Sequence, residues 1–154
     1  MTRNQREKHV RPISVPAFLR WLVFLAAALC VGLPVQAEVI DVDISEVAKL
    51  AASGVVVVDI RRAEEWRETG VIKGSKRLTY VDAWGRVDPQ WLEKMKAIAP
   101  PGQPVVLLCR SGARSAAAAK QLDEAGYKKV YNAKGGILAW LGAGQPVAPP
   151  DGSQ

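Results

Sequence analysis

Two short apolar runs constrain the fold more than any other feature of this chain. Residues 55–60 read Val-Val-Val-Val-Asp-Ile, and residues 105–109 read Val-Val-Leu-Leu-Cys. The first run is β-branched on both faces of a strand, and the second is continuously apolar up to its final cysteine. Runs of this kind are typical of central strands in a parallel sheet, where helices cover both faces.

Helix-like segments alternate with strand-like segments along residues 38–147. A helical pattern that begins at Ser45, the expected N-cap, ends at Gly54. Further helices are expected around 63–68, after Pro89, over 114–125 with Gly126 as the cap, and over 137–141. Shorter strands are expected at 39–42, 77–80 and 129–131. This order predicts an α/β fold, a single domain with a central parallel sheet and helices on both faces.

The N-terminal segment, residues 1–37, has the three parts of a secretory signal peptide. A basic stretch up to Arg20 precedes an uncharged run from Trp21 to Leu33, and Val35-Gln36-Ala37 follows as a small-residue cleavage pattern. The uncharged run would extend about 20 Å as a helix, short of the roughly 30 Å hydrocarbon core of a bilayer. We therefore expect cleavage after Ala37 and a periplasmic or secreted protein. The alternative is an uncleaved anchor, the only case in which the membrane is a partner.

The net charge of the chain is misleading unless this segment is treated separately. The formal net charge is +6, but residues 1–37 hold five bases and one acid, so most of the excess lies there. The rest of the chain is close to neutral and offers no basic surface for a polyanion. We therefore predict no nucleic-acid partner.

The distribution of histidine and cysteine excludes several kinds of site. The single histidine, His9, and one of the two cysteines, Cys30, lie in the predicted signal peptide. Without them, Cys109 is the sole thiol and no histidine remains for a Ser-His-Asp triad, a Cys-His pair or a His-ligated metal. We expect neither a metal nor a cofactor.

Cys109 is the candidate nucleophile. It ends an expected buried strand and is followed by a tight loop into the N-terminus of a helix, where loop N–H groups and the helix dipole favour an anion. Arg110 and Arg114 add positive charge, so we expect the thiolate form to be favoured without a histidine base. This chemistry requires a sulfur that solvent can reach.

Three stretches make the chain resemble the rhodanese family of sulfurtransferases. Residues 109–115 (Cys-Arg-Ser-Gly-Ala-Arg-Ser) are similar to the active loop of that family. Asp59-Ile60-Arg61 with residues 64–66 and 70–75, and Gly135-Gly136 with Trp140 and residues 143–147, are similar to its first and last signatures. The resemblance covers about Glu38 to Val147. The chain departs from the family at Val71 and Lys73, where histidine and proline are usual.

The resemblance implies a thiosulfate sulfurtransferase-like enzyme. Cys109 would take a sulfane sulfur from a small anionic donor such as thiosulfate, hold it as a persulfide, and pass it to cyanide, a thiol or a redox protein. The loop would cradle the donor, with Arg110 and Arg114 on its anionic oxygens. Its residues are Arg110, Ser111, Gly112, Ala113, Arg114 and Ser115.

Two other functions remain open at this point. The loop could belong to a sulfur carrier that holds a persulfide for a partner protein and turns over slowly. The second open function is that of a phosphatase or an arsenate reductase. Those enzymes use a Cys-x5-Arg loop, which would need arginine at position 115, where this chain has Ser115.

The remaining expectations concern supporting residues and the C-terminus. Asp59 and Arg61 are interpreted as scaffold that could also orient the loop, and Trp84 as a residue at the mouth of the pocket. The segment 148–154 follows a Pro- and Gly-rich stretch and is expected to be a flexible tail.

Overall fold

The computed structural model describes residues 38–150. The predicted signal peptide or anchor (1–37) and the last four positions of the predicted tail (151–154) lie outside the described residues. Within 38–150, strands and helices alternate along the chain. The elements are β1 (Glu38–Val42), α1 (Ile44–Ala52), β2 (Val56–Asp59), α2 (Ala63–Thr69), β3 (Lys76–Arg77), α3 (Trp91–Ile98), β4 (Val105–Leu108), α4 (Ala113–Glu124), β5 (Lys129–Ala133) and α5 (Gly136–Gly142).

The strands form one parallel sheet in the order β1-β5-β4-β2-β3. The two apolar runs become the neighbours β2 and β4, with Val57 paired to Val106 and Asp59 paired to Leu108. The sheet and its parallel arrangement confirm the fold class that the sequence predicts. Because all strands run the same way, their carboxyl ends meet at one edge, where ligands of open α/β sheets bind.

Side chains alternate between two buried clusters along β4. Val105 and Leu107 pack with Trp91 of α3 and Leu122 of α4 on one face. Val106 and Leu108 pack with Val47, Ile137 and Trp140 from α1 and α5 on the other face. Full burial of each such side chain contributes about 1.5–3 kcal/mol, so the four residues of β4 anchor both layers. The prediction of helices on both faces is confirmed.

Several element boundaries differ from the sequence-based expectations by a few residues, and three of them have a clear physical reason. The N-cap of α1 is Asp43, whose carboxylate accepts the Glu46 N–H at 2.9 Å, while the Ser45 hydroxyl donates to the same carboxylate. An extended Asp caps well in this position, so Ser45 falls inside the first turn. Likewise α4 ends at an Ala125 cap, and Gly126 follows it at φ +82°.

The third difference is at β3, which is shorter than the expected strand over 77–80. Only Lys76 and Arg77 form the regular ladder with β2. The next residues stay attached, because Leu78 and Tyr80 donate N–H groups to the carbonyls of Asp59 and Ile60 at 3.0 and 3.1 Å. The edge therefore continues past β3 as irregular chain beside the end of β2.

The segment after α5 packs back on the domain. Ala148 and Val71 exchange two backbone hydrogen bonds, at 2.9 and 2.8 Å, and the Trp140 indole N–H donates to the Pro146 carbonyl at 3.0 Å. Ala148 thus belongs to the packed domain, and the expectation of a flexible tail that begins at residue 148 is wrong at this residue. The segment has few apolar side chains to bury, but the backbone hydrogen bonds to Val71 hold it in place. No helix within residues 38–150 is long and apolar enough to cross a bilayer.

Candidate active site

Cys109 follows β4 directly and opens a tight loop into α4. The N-cap of α4, Gly112, has φ +98°, a left-handed conformation that favours glycine. A Cβ there would also crowd the backbone N of Gly135 at 3.2 Å. This turn aims the Gly112 N–H at the Cys109 sulfur, with N to Sγ at 3.1 Å. Of the loop amides expected to face the sulfur, the structure shows this one bonded to it.

The Cys109 side chain is buried, with 1% of its surface exposed. It continues the alternation of Val105 and Leu107 and so points into the α3/α4 face of the sheet. The expectation of a sulfur that solvent can reach is therefore wrong for the resting structure. A donor must displace part of its surroundings to contact Sγ.

The start of α5 holds the loop in place from the other side. Ile137 donates its N–H to the carbonyl of Cys109 at 2.9 Å, and Leu138 donates to the carbonyl of Arg110 at 3.2 Å. Gly136 lies so close that a Cβ on it would collide with the Cys109 carbonyl oxygen, and its φ is +56°. The Gly135-Gly136 stretch therefore lets the backbone of α5 reach the loop.

The two arginines of the loop have different surroundings. Arg110 is exposed and forms no ion pair with the residues between 38 and 150. Arg114 is held instead by Glu65 of α2, with Nη1 to Oε2 at 2.8 Å and Nη2 to Oε1 at 2.5 Å. The hydrogen bond to Glu65 raises the pKa of Arg114, and Cys109 acts in the same direction when it is ionised. Arg114 thus lies within electrostatic reach of the sulfur, but both of its terminal nitrogens are already hydrogen-bonded to Glu65.

Glu65 is the partner that sequence reasoning did not connect to the loop. Burial would raise the pKa of its carboxyl, but hydrogen bonds from the Arg114 guanidinium and the Arg62 N–H outweigh burial and lower that pKa from 4.5 to about 2. Glu65 is therefore ionised at all physiological pH values. Nothing in the sequence links the two residues, since they are 49 positions apart.

Asp59 and Arg61 form a buried ion pair, with Oδ2 to Nη2 at 2.6 Å. The same guanidinium donates to the Thr69 hydroxyl and to the carbonyls of Glu65 and Gly70. The pair therefore ties the end of β2 to both ends of α2. The interpretation of Asp59 and Arg61 as scaffold stays a prediction. Their network fixes the backbone of Glu65, whose side chain bonds to Arg114.

The other expected loop residues divide into exposed and buried positions. Ser111 and Ala113 are exposed, whereas Ser115 is fully buried. The Ser115 hydroxyl lies 3.3 Å from the Cys109 sulfur and 2.6 Å from the amide oxygen of Asn132. The Asn132 amide in turn donates to the Asp41 carboxylate at 2.8 Å. Sequence reasoning missed Asn132 and Asp41, and the available signal was a polar residue at the fourth of the five positions in each of β1 and β5.

Trp84 is not brought to the loop. Its side chain is 80% exposed and stacks under the Arg86 guanidinium, 4.9 Å from the ring centre. Asp82 braces this turn by accepting the N–H groups of Trp84 and Arg86, both at 2.9 Å. Within residues 38–150 the structure also contains no group of three His, Cys, Asp or Glu side chains arranged to hold a metal ion.

Comparison with known proteins places this geometry in a family. The family model for the rhodanese-like domain matches residues 43–143. Thiosulfate sulfurtransferase 18 of Arabidopsis thaliana is 37% identical over 115 residues, covering 71% of this chain and 84% of that protein.

Two solved structures are similar as well. Rv0390 from M. tuberculosis has a TM-score of 0.63 at 25% identity, covering 74% of this chain and 99% of that one. A protein of unknown function from Rhodopseudomonas palustris, described as a possible tyrosine phosphatase, has a TM-score of 0.54 at 26% identity and covers 90% of this chain and 100% of that one. From the match over residues 43–143 and the sulfurtransferase relative, we conclude that the chain belongs to the rhodanese-like domain family.

Proposed function

We propose that this protein is a sulfurtransferase that carries a sulfane sulfur on Cys109. The observation that supports this most directly is the position of Cys109, at the carboxyl end of a central strand with the Gly112 N–H on its sulfur. An exposed arginine, Arg110, follows it, and the charged Arg114 lies within electrostatic reach. This combination suits a sulfur nucleophile that attacks a small anion.

The proposed reaction has two steps. The Cys109 thiolate attacks the outer sulfur of thiosulfate, the new S–S bond forms, the old S–S bond breaks, and sulfite leaves with the bonding electrons. The enzyme then holds a persulfide whose inner sulfur retains the Gly112 N–H. A nucleophilic acceptor, cyanide or a thiol, attacks the outer sulfur and regenerates the thiolate. Arg110 holds the anionic oxygens of the donor, because Arg114 is engaged by Glu65.

The burial of Cys109 supports a second candidate, a sulfur carrier. A thiol that is 1% exposed meets small donors slowly, and a partner protein that displaces the loop surroundings would load or unload it better. In that case a persulfide on Cys109 would be stable and steady-state turnover with thiosulfate and cyanide would be low. The physiological partner would then be a thiol or redox protein and not cyanide.

A phosphatase function is less compatible with this loop. The Rhodopseudomonas palustris protein is described as a possible tyrosine phosphatase. In this chain, however, only four residues separate Cys109 from Arg114, and the Arg114 fork is bound by Glu65. A phosphoryl group has three oxygens to satisfy, so it needs a wider loop with a free guanidinium.

The location of the activity is also a proposal. From the composition of residues 1–37 we propose that the protein works after export, as a periplasmic or secreted protein. Fractionation of cells that express the full chain, with mass measurement of the N-terminus, tests this. A mature protein that begins at Glu38 outside the cytoplasm is expected, and an intact N-terminus in the cytoplasm would contradict it.

The sulfur-transfer proposal is tested with a panel of donors and acceptors on the purified protein. Wild-type protein is expected to form thiocyanate from thiosulfate and cyanide and to gain one sulfur atom on Cys109 by mass. Cys109→Ser is expected to lose both. Turnover that persists in Cys109→Ser would overturn the assignment. A stable persulfide with negligible turnover would favour the carrier, and phosphate release from an aryl phosphate would favour a phosphatase.

A further inference from the structure

A continuous chain of hydrogen-bonding side chains runs from the Cys109 sulfur to the protein surface. Ser115 lies 3.3 Å from Sγ, Asn132 lies 2.6 Å from the Ser115 hydroxyl, and Asp41 lies 2.8 Å from the Asn132 amide nitrogen. Cys109, Ser115 and Asn132 are buried, whereas Asp41 is exposed. Asp41 and Asn132 are direct partners in the pairing of β1 with β5, so the sheet fixes their contact.

The charge of Asp41 determines the direction of every bond in this chain. A carboxylate only accepts hydrogen bonds, so the NH2 group of Asn132 must face Asp41. The amide oxygen of Asn132 then faces Ser115 and requires a donor there, because it is buried. The Ser115 hydroxyl has one proton and three acceptors within reach, and the Asn132 oxygen at 2.6 Å is nearer than the Gly112 carbonyl at 3.1 Å or the Cys109 sulfur at 3.3 Å. The Asn132 oxygen therefore receives the proton, and the Gly112 carbonyl keeps the Ala116 N–H at 3.0 Å.

The Cys109 sulfur therefore faces a lone pair of Ser115 and not its proton. In this arrangement Ser115 can accept an S–H from the neutral thiol. To donate to a thiolate, its hydroxyl would have to turn toward Sγ and leave the Asn132 oxygen without that donor. When Cys109 is protonated, every group in the chain from Cys109 to Asp41 therefore has a hydrogen-bond partner. When Cys109 is ionised, either the sulfur or the Asn132 oxygen lacks the Ser115 proton.

We propose that Asp41 and Asn132 are positioning residues that orient Ser115 as an acceptor at the Cys109 sulfur and so hold the resting residue as a neutral thiol. The two residues act through Ser115 and do not touch the sulfur themselves. They oppose the groups that favour the anion, namely the Gly112 N–H and the charge of Arg114. The effect on turnover rests on the proposed sulfur transfer, but the effect on the thiol does not.

Other charged groups near the sulfur do not produce this orientation. Arg114 and Arg110 are cations, and Glu65 is bound to Arg114. Asp59 acts on Arg114 through its charge and is paired with Arg61. Asp41 is the carboxylate that accepts from the buried Asn132 amide. Replacing Asp41 should therefore change the ionisation of Cys109, and only when Ser115 is present.

The test is the pH profile of Cys109 alkylation by iodoacetamide, which needs no sulfur donor. In Asp41→Asn the side chain at 41 can donate or accept, so Asn132 can turn over and Ser115 can donate to the thiolate. We expect the profile of Asp41→Asn to move to lower pH by roughly half a pH unit or more. Asp43→Asn is the matched control, because it removes the same charge two residues away, where Asp43 caps α1.

The double variant separates orientation from simple loss of charge. In a Ser115→Ala background, Asp41→Asn is expected to cause no further movement of the profile. Side-chain NMR gives a second measurement that does not require the Ser115→Ala variant to fold. Contacts from the Asn132 NH2 protons should reach residue 41 in wild type. In Asp41→Asn they should also reach Ser115.

An unchanged profile in Asp41→Asn would overturn the proposal, as would an equal movement in Asp43→Asn or a movement that persists without Ser115. These outcomes concern the thiol alone. Absence of thiocyanate formation with the expected alkylation profiles would instead reject the proposed function and leave the orientation intact.

Discussion

The Arg114 guanidinium of α4 forms a two-point ion pair with the Glu65 carboxylate of α2, although the residues are 49 positions apart in the chain. The pair joins the helix that starts at the active loop to the helix that follows β2. Glu65 is 8% exposed and Arg114 is 25% exposed at their side chains, so solvent screens the pair only in part. Arg114 is thus a structural tie between two helices as well as a positive charge near Cys109.

Replacement of Glu65 by Gln should destabilise the domain. The change leaves the partly buried Arg114 without its carboxylate, and we expect a loss of about 2–4 kcal/mol in the free energy of unfolding. Urea denaturation at pH 7 measures this. Glu64→Gln is the matched control, since Glu64 is exposed and pairs with Arg62, and it should change stability much less. Equal losses in the two variants would contradict the role given to Glu65.

The same pair predicts a specific dependence of stability on pH. The pKa of Glu65 is about 2 in the folded protein against 4.5 unperturbed, so its contribution is complete above about pH 4.5. It is lost as the pH falls from 4.5 toward 2, because over this range the unfolded state takes up a proton that the folded state does not. The difference in unfolding free energy between wild type and Glu65→Gln should therefore be constant from pH 5 to 7. A difference that stays constant down to pH 2 would count against the ion pair.

Arg110 should bind the donor anion. Because it is exposed and forms no ion pair with other residues in 38–150, we expect Arg110→Ala to raise KM for thiosulfate by about ten-fold with little change in kcat. Lys134→Ala, which removes an exposed cation after β5, is the control and should leave KM within about two-fold. Steady-state kinetics at fixed cyanide provides the comparison. Identical KM values for all three proteins would exclude Arg110 as the donor site.

Gly136→Ala should disturb the loop through a backbone collision. Gly136 and Gly126 both have positive φ, so an alanine at either site costs about 1–2 kcal/mol in strain. A Cβ at 126 meets open space, whereas a Cβ at 136 meets the Cys109 carbonyl. We expect Gly136→Ala to lose about 1–3 kcal/mol more than Gly126→Ala and to lower the rate of sulfur transfer. Thermal denaturation and kinetics of the two variants side by side measure both effects.

Trp84→Ala should leave small-donor kinetics unchanged. The indole is 80% exposed and contacts Arg86, so its removal takes nothing away from Cys109. We expect kcat/KM for thiosulfate to stay within about two-fold of wild type, with a similar melting temperature. A large rise in KM would instead restore Trp84 to the mouth of the pocket, where the sequence-based hypothesis placed it.

The sequence predicts the elements whose signal is local. The apolar runs of β2 and β4 and the glycine-bounded loop after Cys109 each depend on neighbours within a few residues, so the fold class and the loop position follow from pattern alone. The N-cap of α1 and the length of β3 were wrong by two or three residues, because competing polar side chains and edge pairing decide boundaries.

The contacts within the site could not be predicted in the same way. The bond of Glu65 to Arg114 and the chain through Asn132 join residues on different elements, and only the packed sheet brings them together. Burial of Cys109 follows from side-chain alternation along β4, which sequence reasoning could have extended by one residue. The sequence instead indicated an accessible loop, because the five residues that follow Cys109 are polar or small.

The pairing of Val71 with Ala148 has a consequence for how the domain is made. Val71 lies between α2 and β3 in the first half of the described chain, and its partner Ala148 comes after the last helix. Until the segment that contains Ala148 has packed, the edge around Val71 has no backbone partner there. The domain therefore completes its closure only once the segment that follows α5 has paired, whether the chain folds before or after export.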